Sequence, residues 1–263
     1  MRNFIRLLNG RLTSFFNRKY FFLIFLILRG ILAKSGKIIF QGWKIRFNDA
    51  NSLIGMYNEI IVQDCYKFDC ESESPVIIDC GANIGISLLY FIKQNPKAQI
   101  TAYEADPIIF QILKCNIEQN GYIANLIERA VWINSNEEIS FGCIGADSGS
   151  LFESASTIQV KTIRLKEELA RFKRIDLLKI DIEGAELEVI KDCENDLALV
   201  ERVFIEYHSF NDSDQDLDVL LNIMKKAGFR YKILPARKEK SPFFYYNKEQ
   251  KMDLQLNIFF FRK

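Results

Sequence analysis

The sequence is poor in the side chains that most often build structural zinc sites. It has one histidine, His208, and its six cysteines, at 65, 70, 80, 115, 143 and 193, include no C-x-x-C pair. That scatter leaves zinc little to bind and is expected of reduced thiols in a cytoplasmic protein. An excess of one charge is also lacking. Lys+Arg number 35 against 34 Asp+Glu, a net charge of +1, which provides no electrostatic basis for a nucleic-acid partner. There is no internal repeat and no low-complexity tract. The apolar run at residues 20–28 is shorter than the roughly 20 residues that a spanning helix needs. Arg2, Arg6, Arg11, Arg18 and Lys19 precede it and Arg29 follows, but no small-residue cleavage site completes a signal peptide. Two readings of residues 1–35 stand. One is a helical extension packed on the domain or on a second copy in a homo-oligomer; the other is an interfacial helix at the inner face of a membrane.

What is present is a large apolar content, 49% of residues, enough for a sizeable core. Residues 36–74 read as a hairpin over 37–47, turning near Gly42, then a helix over 54–66 and a polar break at 71–75. From residue 75 to 263, strand and helix patterns alternate, as in a sheet with crossover helices. Strands are expected at 76–79, 100–104, 123–128, 175–181 and 203–207. Residues 137–143 and 158–164 also have strand character, and two last strands fall at 229–234 and 254–262. Helices are expected over 84–94 and from Pro107 to about Asn120. Leu217, Leu220, Leu221 and Met224 fall on one face of a further helix that Gly228 can close.

Candidate chemistry gathers at the ends of the strands. Pro75-Val76-Ile77-Ile78 is the continuous apolar run of a strand buried on both faces, and it ends on Asp79. The pattern that follows, Asp79, Gly81, Asn83 and Gly85, is D-x-G-x-N-x-G and not the G-x-G-x-x-G that receives a pyrophosphate. Gly81 and Gly85 allow close backbone approach, and Gly85 can also bring helix and strand together. S-adenosylmethionine suits such a turn: it has no phosphate, and its ammonium group can be attracted by Asp79. An ordinary strand-to-helix turn is the alternative. Glu104, ending the second strand, is placed to accept hydrogen bonds from both hydroxyls of a ribose, with Ala105 beside it. Asp106, just before Pro107, is better suited to starting a helix. Glu128-Arg129-Ala130-Val131 either brings Ala130 towards an adenine or forms a surface turn.

Leu178-Lys179-Ile180-Asp181-Ile182-Glu183-Gly184-Ala185-Glu186 repeats the order strand, acid, glycine, helix. Asp181 ends a buried strand, where an unpartnered charge is costly, and is therefore a candidate for cofactor binding and catalysis. Glu183 and Glu186 are also explained as acids in a helix's first turn. His208, after Phe204-Ile205-Glu206-Tyr207, is either a structural histidine or a general base.

These segments together resemble the FkbM-type methyltransferase family. The resemblance rests on Glu59-Ile60-Ile61 to Tyr66, the 79–85 turn, Tyr103-Glu104-Ala105-Asp106-Pro107, Lys179 to Glu186 and Glu206-Tyr207-His208, and it spans about residues 40–263. It implies a class I methyltransferase fold, Rossmann-like α/β, with a seven-stranded sheet in which the last strand is antiparallel. It also implies O-methylation from S-adenosylmethionine, often on sugars or natural products. The proton of the accepting hydroxyl is then expected to pass to His208 or Asp181. A small-molecule or glycan acceptor is expected against Glu59, Glu183 and Glu206. The loop at 141–152, with Ser148 and Ser150, either lines its pocket or is a plain hairpin. Asp181, Glu183 and Glu206 are an alternative ligand set for a divalent metal. Two other classes compete: a nucleotide-sugar or dinucleotide enzyme on a related sheet, and a non-catalytic scaffold.

Overall fold

The computed structural model describes residues 34–144, 148–150, 157–236 and 252–262. The expected helix within residues 1–33 lies outside them. Among the described residues no helix is long and apolar enough to cross a membrane.

Strands β1 (Gly36–Phe40) and β2 (Trp43–Phe47) form the expected antiparallel hairpin. Gln41 and Gly42 both have positive φ, at 48° and 88°, as a tight two-residue hairpin turn demands. Ile38, Phe40, Trp43, Ile45 and Phe47 alternate inward and are buried. Helix α1 (Ala50–Met56) starts earlier than expected because Asp49 caps it, accepting from the Ser52 N–H at 2.8 Å. It continues as a π-helical turn over Tyr57–Val62, which contains Glu59. Such wide turns concentrate at functional sites.

The main sheet consists of β3 (Val76–Cys80), β4 (Gln99–Glu104), β5 (Asn125–Glu128), β10 (Leu177–Ile180), β11 (Arg202–Phe210), β12 (Arg230–Pro235) and β13 (Met252–Phe261). Its seven strands run in the order β12-β13-β11-β10-β3-β4-β5. β13 is antiparallel to both of its neighbours, β11 and β12, while the other described pairings in this sheet are parallel. Ile77 and Ile78 show how the sheet separates two cores. Ile77 packs with Leu89 and Phe91 of α2 (Ile86–Gln94), with Leu113 of α3 (Pro107–Glu118) and with the β1–β2 hairpin. Ile78 packs with Leu178, Val189 of α5 (Glu186–Asp192), and Leu220 and Met224 of α6 (Leu217–Lys226).

A second sheet, in the order β6-β9-β7-β8, joins β6 (Ala130–Trp132), β7 (Glu138–Ile144), β8 (Ser148–Ser150) and β9 (Thr157–Arg164), after which comes α4 (Leu165–Leu169). β6 replaces the surface turn that was the alternative reading at Ala130. β11 runs to Phe210, beyond the expected end at residue 207, because β13 pairs with it along its length. His208 is therefore inside a strand, opposite Gln255.

Candidate active site

A cavity of about 840 Å³ opens above the C-terminal ends of β3, β10 and β11, against the π-helical turn and β13. Its floor is the turn after β3. Gly81 has φ +84°, and a Cβ there would lie 1.8 Å from the carbonyl oxygen of Asp181. The ends of β3 and β10 thus touch through a position that only glycine can occupy. Gly85, φ +88°, is needed for a different reason: a Cβ would meet Leu113 Cδ1 at 2.6 Å. It fits α2 against α3 and is not among the cavity-lining residues.

The sequence reading sets Asp79 against a ligand ammonium group; the structure corrects this. Asp79 is fully buried beneath the floor, where it accepts from the Ser87 hydroxyl at 2.5 Å and pairs with Lys179 at 3.1 Å. Lys179 also pairs with Asp181 at 3.3 Å and donates to the Gly81 carbonyl at 2.9 Å. Burial alone would push this ammonium down, but Asp79 and Asp181 outweigh it and hold the group well above its usual value. Asp79 therefore positions Lys179, and Lys179 positions Asp181 and the glycine turn.

Glu104 ends β4, is buried and is not itself among the lining residues; it meets the cavity's edge through Asn83. Its two oxygens accept from the backbone N–H groups of Asn83, at 2.8 Å, and Asp106, at 2.9 Å. Burial raises its carboxyl to about 7, although those two hydrogen bonds pull the other way. Asn83, φ 48°, lines the cavity. Ala105 packs against a small apolar cluster of Ala130 and Val160, and neither alanine lines the cavity. Strand β8 contains Ser148 and Ser150, whose side chains lie outside the description.

On the other side of the glycine turn, Asp181, Glu183, Glu206 and Glu59 all line the cavity. Glu59 accepts from Asn257 and Glu206 from Gln255, two residues of β13. Burial, and then the charge of Asp181, raise both Glu59 and Glu206 from the usual carboxylate value, Glu206 well above it. His208 lies behind them. Its Nδ1 is 3.0 Å from Glu186, and its Nε2 is 3.4 Å from Glu183 and 3.8 Å from Glu206. Burial would lower the imidazole, but the three carboxylates outweigh it and raise it to about 10. The side chain is wholly buried and His208 is not among the lining residues, so it does not reach an acceptor in the cavity. The expected general-base role of His208 is corrected accordingly. Of the two candidates, Asp181 is the one that meets the cavity.

Lys179 and Glu186 were not singled out as site residues from sequence. Lys179 carried a signal, a charge in the middle of the buried run Leu178-Lys179-Ile180. Glu186 is buried and accepts from the N–H groups of Ile182, at 3.2 Å, and Gly184, at 3.0 Å, as well as facing His208. Its position in a helix's first turn is real, but its partners are the loop and the histidine.

The cavity wall thus sets four carboxylates, Glu59, Asp181, Glu183 and Glu206, around one ammonium, Lys179. With one ammonium and no arginine among the lining residues, such a wall disfavours a dinucleotide, while its acids can accept hydrogen bonds from the ammonium group of a sulfonium cofactor. Taken with the strand order, this defines an S-adenosylmethionine-dependent methyltransferase of class I fold. More narrowly, the chain belongs to the FkbM methyltransferase domain family, which its residues 79–231 match.

Among its relatives, methyltransferase sdnD of Sordaria araneosa is 28% identical over 189 residues, 57% of this chain and 73% of that one. Hexuronic acid methyltransferase AglP of Haloferax volcanii is 31% identical over 158 residues, 58% and 64% of the two chains. 2-O-methyltransferase NoeI of Sinorhizobium fredii is 29% identical over 169 residues, 56% and 67%. Among solved structures, the methyltransferase FkbM from Methylobacillus flagellatus aligns with a TM-score of 0.49 at 14% identity, covering 81% of this chain and 54% of that one.

Proposed function

We propose that this methyltransferase acts on a hydroxyl oxygen of a sugar or glycan-linked acceptor. The observation that carries the reading is the acid wall on the β11 side of the glycine turn, where Asp181, Glu183, Glu206 and Glu59 offer hydrogen-bond acceptors to a polyhydroxylated molecule. The name of AglP, a hexuronic acid methyltransferase, supports that acceptor class, and that of NoeI, a 2-O-methyltransferase, supports transfer to oxygen. S-adenosylmethionine supplies a methyl group on positively charged sulfur, open to in-line displacement. The chain supplies alignment and exclusion of water. Glu104 accepts from the ribose hydroxyls, the 81–83 turn supports the cofactor from below, and Asp181 accepts the proton that the acceptor hydroxyl loses. Incubation with labelled S-adenosylmethionine and a panel of glycans, with mass spectrometry locating the methyl group, tests the proposal. Transfer to nitrogen or carbon instead of oxygen would overturn it.

Two results are expected of the cofactor site. Gly81→Ala should abolish measurable S-adenosylhomocysteine binding in calorimetry, because its Cβ cannot coexist with the Asp181 carbonyl. Gly121→Ala, at another positive-φ glycine with open space around it, should leave binding intact. The second result follows from the Glu104 carboxyl at about 7. The ionised form accepts two hydroxyls and the protonated form does not. Affinity for S-adenosylhomocysteine should therefore be full above that pH and fall by about tenfold per pH unit below it. Glu104→Gln should be weak at every pH and lose that slope.

A further inference from the structure

Asp181, Glu206 and His208 each bring one potential ligand atom to a point where all three lie within 4.8 Å of one another. The histidine ring is oriented as a metal ligand is. Nδ1 faces the buried carboxylate of Glu186, which is itself fixed by the N–H groups of Ile182 and Gly184. This leaves Nε2 directed at Glu183 and Glu206. A carboxylate holding one ring nitrogen while the other meets the ion is the usual support of an imidazole ligand.

Two further atoms point to a missing partner. Asn257, more than nine-tenths buried in the cavity wall, has a carboxamide oxygen with no hydrogen-bond partner, and so does its neighbour Gln255. The Gln255 nitrogen touches Glu206 and lies 3.4 Å from His208 Nε2. Turning that amide over would bring its oxygen to the same point, as a fourth donor. Glu59, Asp181, Glu183 and Glu206 are also crowded here with a single lysine ammonium, Lys179, which is held on the Asp79 side.

We propose that Asp181, Glu206 and His208 bind a divalent first-row transition-metal ion at the wall of the methyltransferase cavity. One imidazole among oxygens suits Mn²⁺, Fe²⁺ or Zn²⁺ better than Ca²⁺. Glu206 on β11 and Glu104 on β4 are three strand spacings apart, roughly 14 Å. The ion and the ribose-binding acid thus lie on opposite sides of the glycine turn, with room for the cofactor between them. An ion there would bind an acceptor hydroxyl and lower its pKa, so that the hydroxyl loses its proton to solvent water, and Asp181 would act as a ligand instead of taking the proton itself.

The inference rests on the methyl-transfer reading for the ion's use but not for its binding. The test therefore uses the full chain without nucleoside, titrated with Mn²⁺ and followed by electron paramagnetic resonance and calorimetry, with Zn²⁺ added in competition. One ion per chain is expected. Glu186→Gln should weaken binding by about 10- to 100-fold through the histidine it orients, and Asp181→Asn and Glu206→Gln should weaken it more. Failure of both ions to bind stoichiometrically would overturn the site, as would unchanged affinity in folded Asp181→Asn and Glu206→Gln. Transfer that survives chelation would also remove the ion while leaving methyl transfer standing. Loss of S-adenosylhomocysteine binding in calorimetry would instead count against the cofactor reading alone.

Discussion

Lys179→Met is expected to cost the fold about 3–5 kcal/mol, the usual penalty for removing one partner of a buried ion pair. The substitution retains most of the side-chain volume, so the loss is electrostatic. Asp79, fully buried, would keep only the Ser87 hydroxyl, and the Gly81 carbonyl would lose its donor. Urea denaturation of the two proteins measures the difference. A double substitution, Lys179→Met with Asp79→Asn, should recover a substantial part of it, because the uncompensated charge is then gone. A loss under about 1 kcal/mol in the single variant would show that water reaches Asp79 and that the pair is less buried than the structure has it.

The second large effect is on rate. Asp181→Asn should lower single-turnover methyl transfer by about 10²–10⁴-fold, the range for loss of a positioned proton acceptor. S-adenosylhomocysteine affinity and the unfolding transition should change far less, since Asp181 is partly exposed and Lys179 keeps Asp79. A parallel collapse of affinity would move Asp181 from the chemistry to the support of the cofactor. The loss is expected whether Asp181 takes the proton directly or holds an ion, and sensitivity to a chelator separates the two.

The main sheet was readable because parallel strands buried on both faces are written as apolar runs. Residues 76–79 and 175–181 identified β3 and β10 on that ground, although Ile175 makes only an isolated bridge to Val200 before β10 begins at Leu177. That the last strand, β13, is antiparallel came from resemblance; its place between β11 and β12 did not, since no local pattern shows which strand a late segment will join. Most of the errors are non-local. β11 seemed to stop at Tyr207 because His208 and Ser209 interrupt its apolar run; what carries it on is pairing with β13, His208 opposite Gln255. β6, three residues long, is too short for any periodicity to register. Asp79 read as a ligand group because its lysine is 100 residues further along the chain. Glu186 read as a charge on a helix end because its histidine belongs to another strand. The acids were legible as a set at the rim, and their division into those that meet the cavity and those that hold other groups was not.

β12 has β13 as its partner in the sheet, and β13 also supplies Gln255 and Asn257 to the cavity wall. The contact of Asn257 with Glu59 closes a separation of 198 residues. A chain emerging from the ribosome therefore has the cofactor's floor, with Gly81, Glu104 and Asp181 all present, well before it has the wall that completes the other half of the site. In order of synthesis, the residues assigned to the methyl donor precede the last residues of the acceptor's wall.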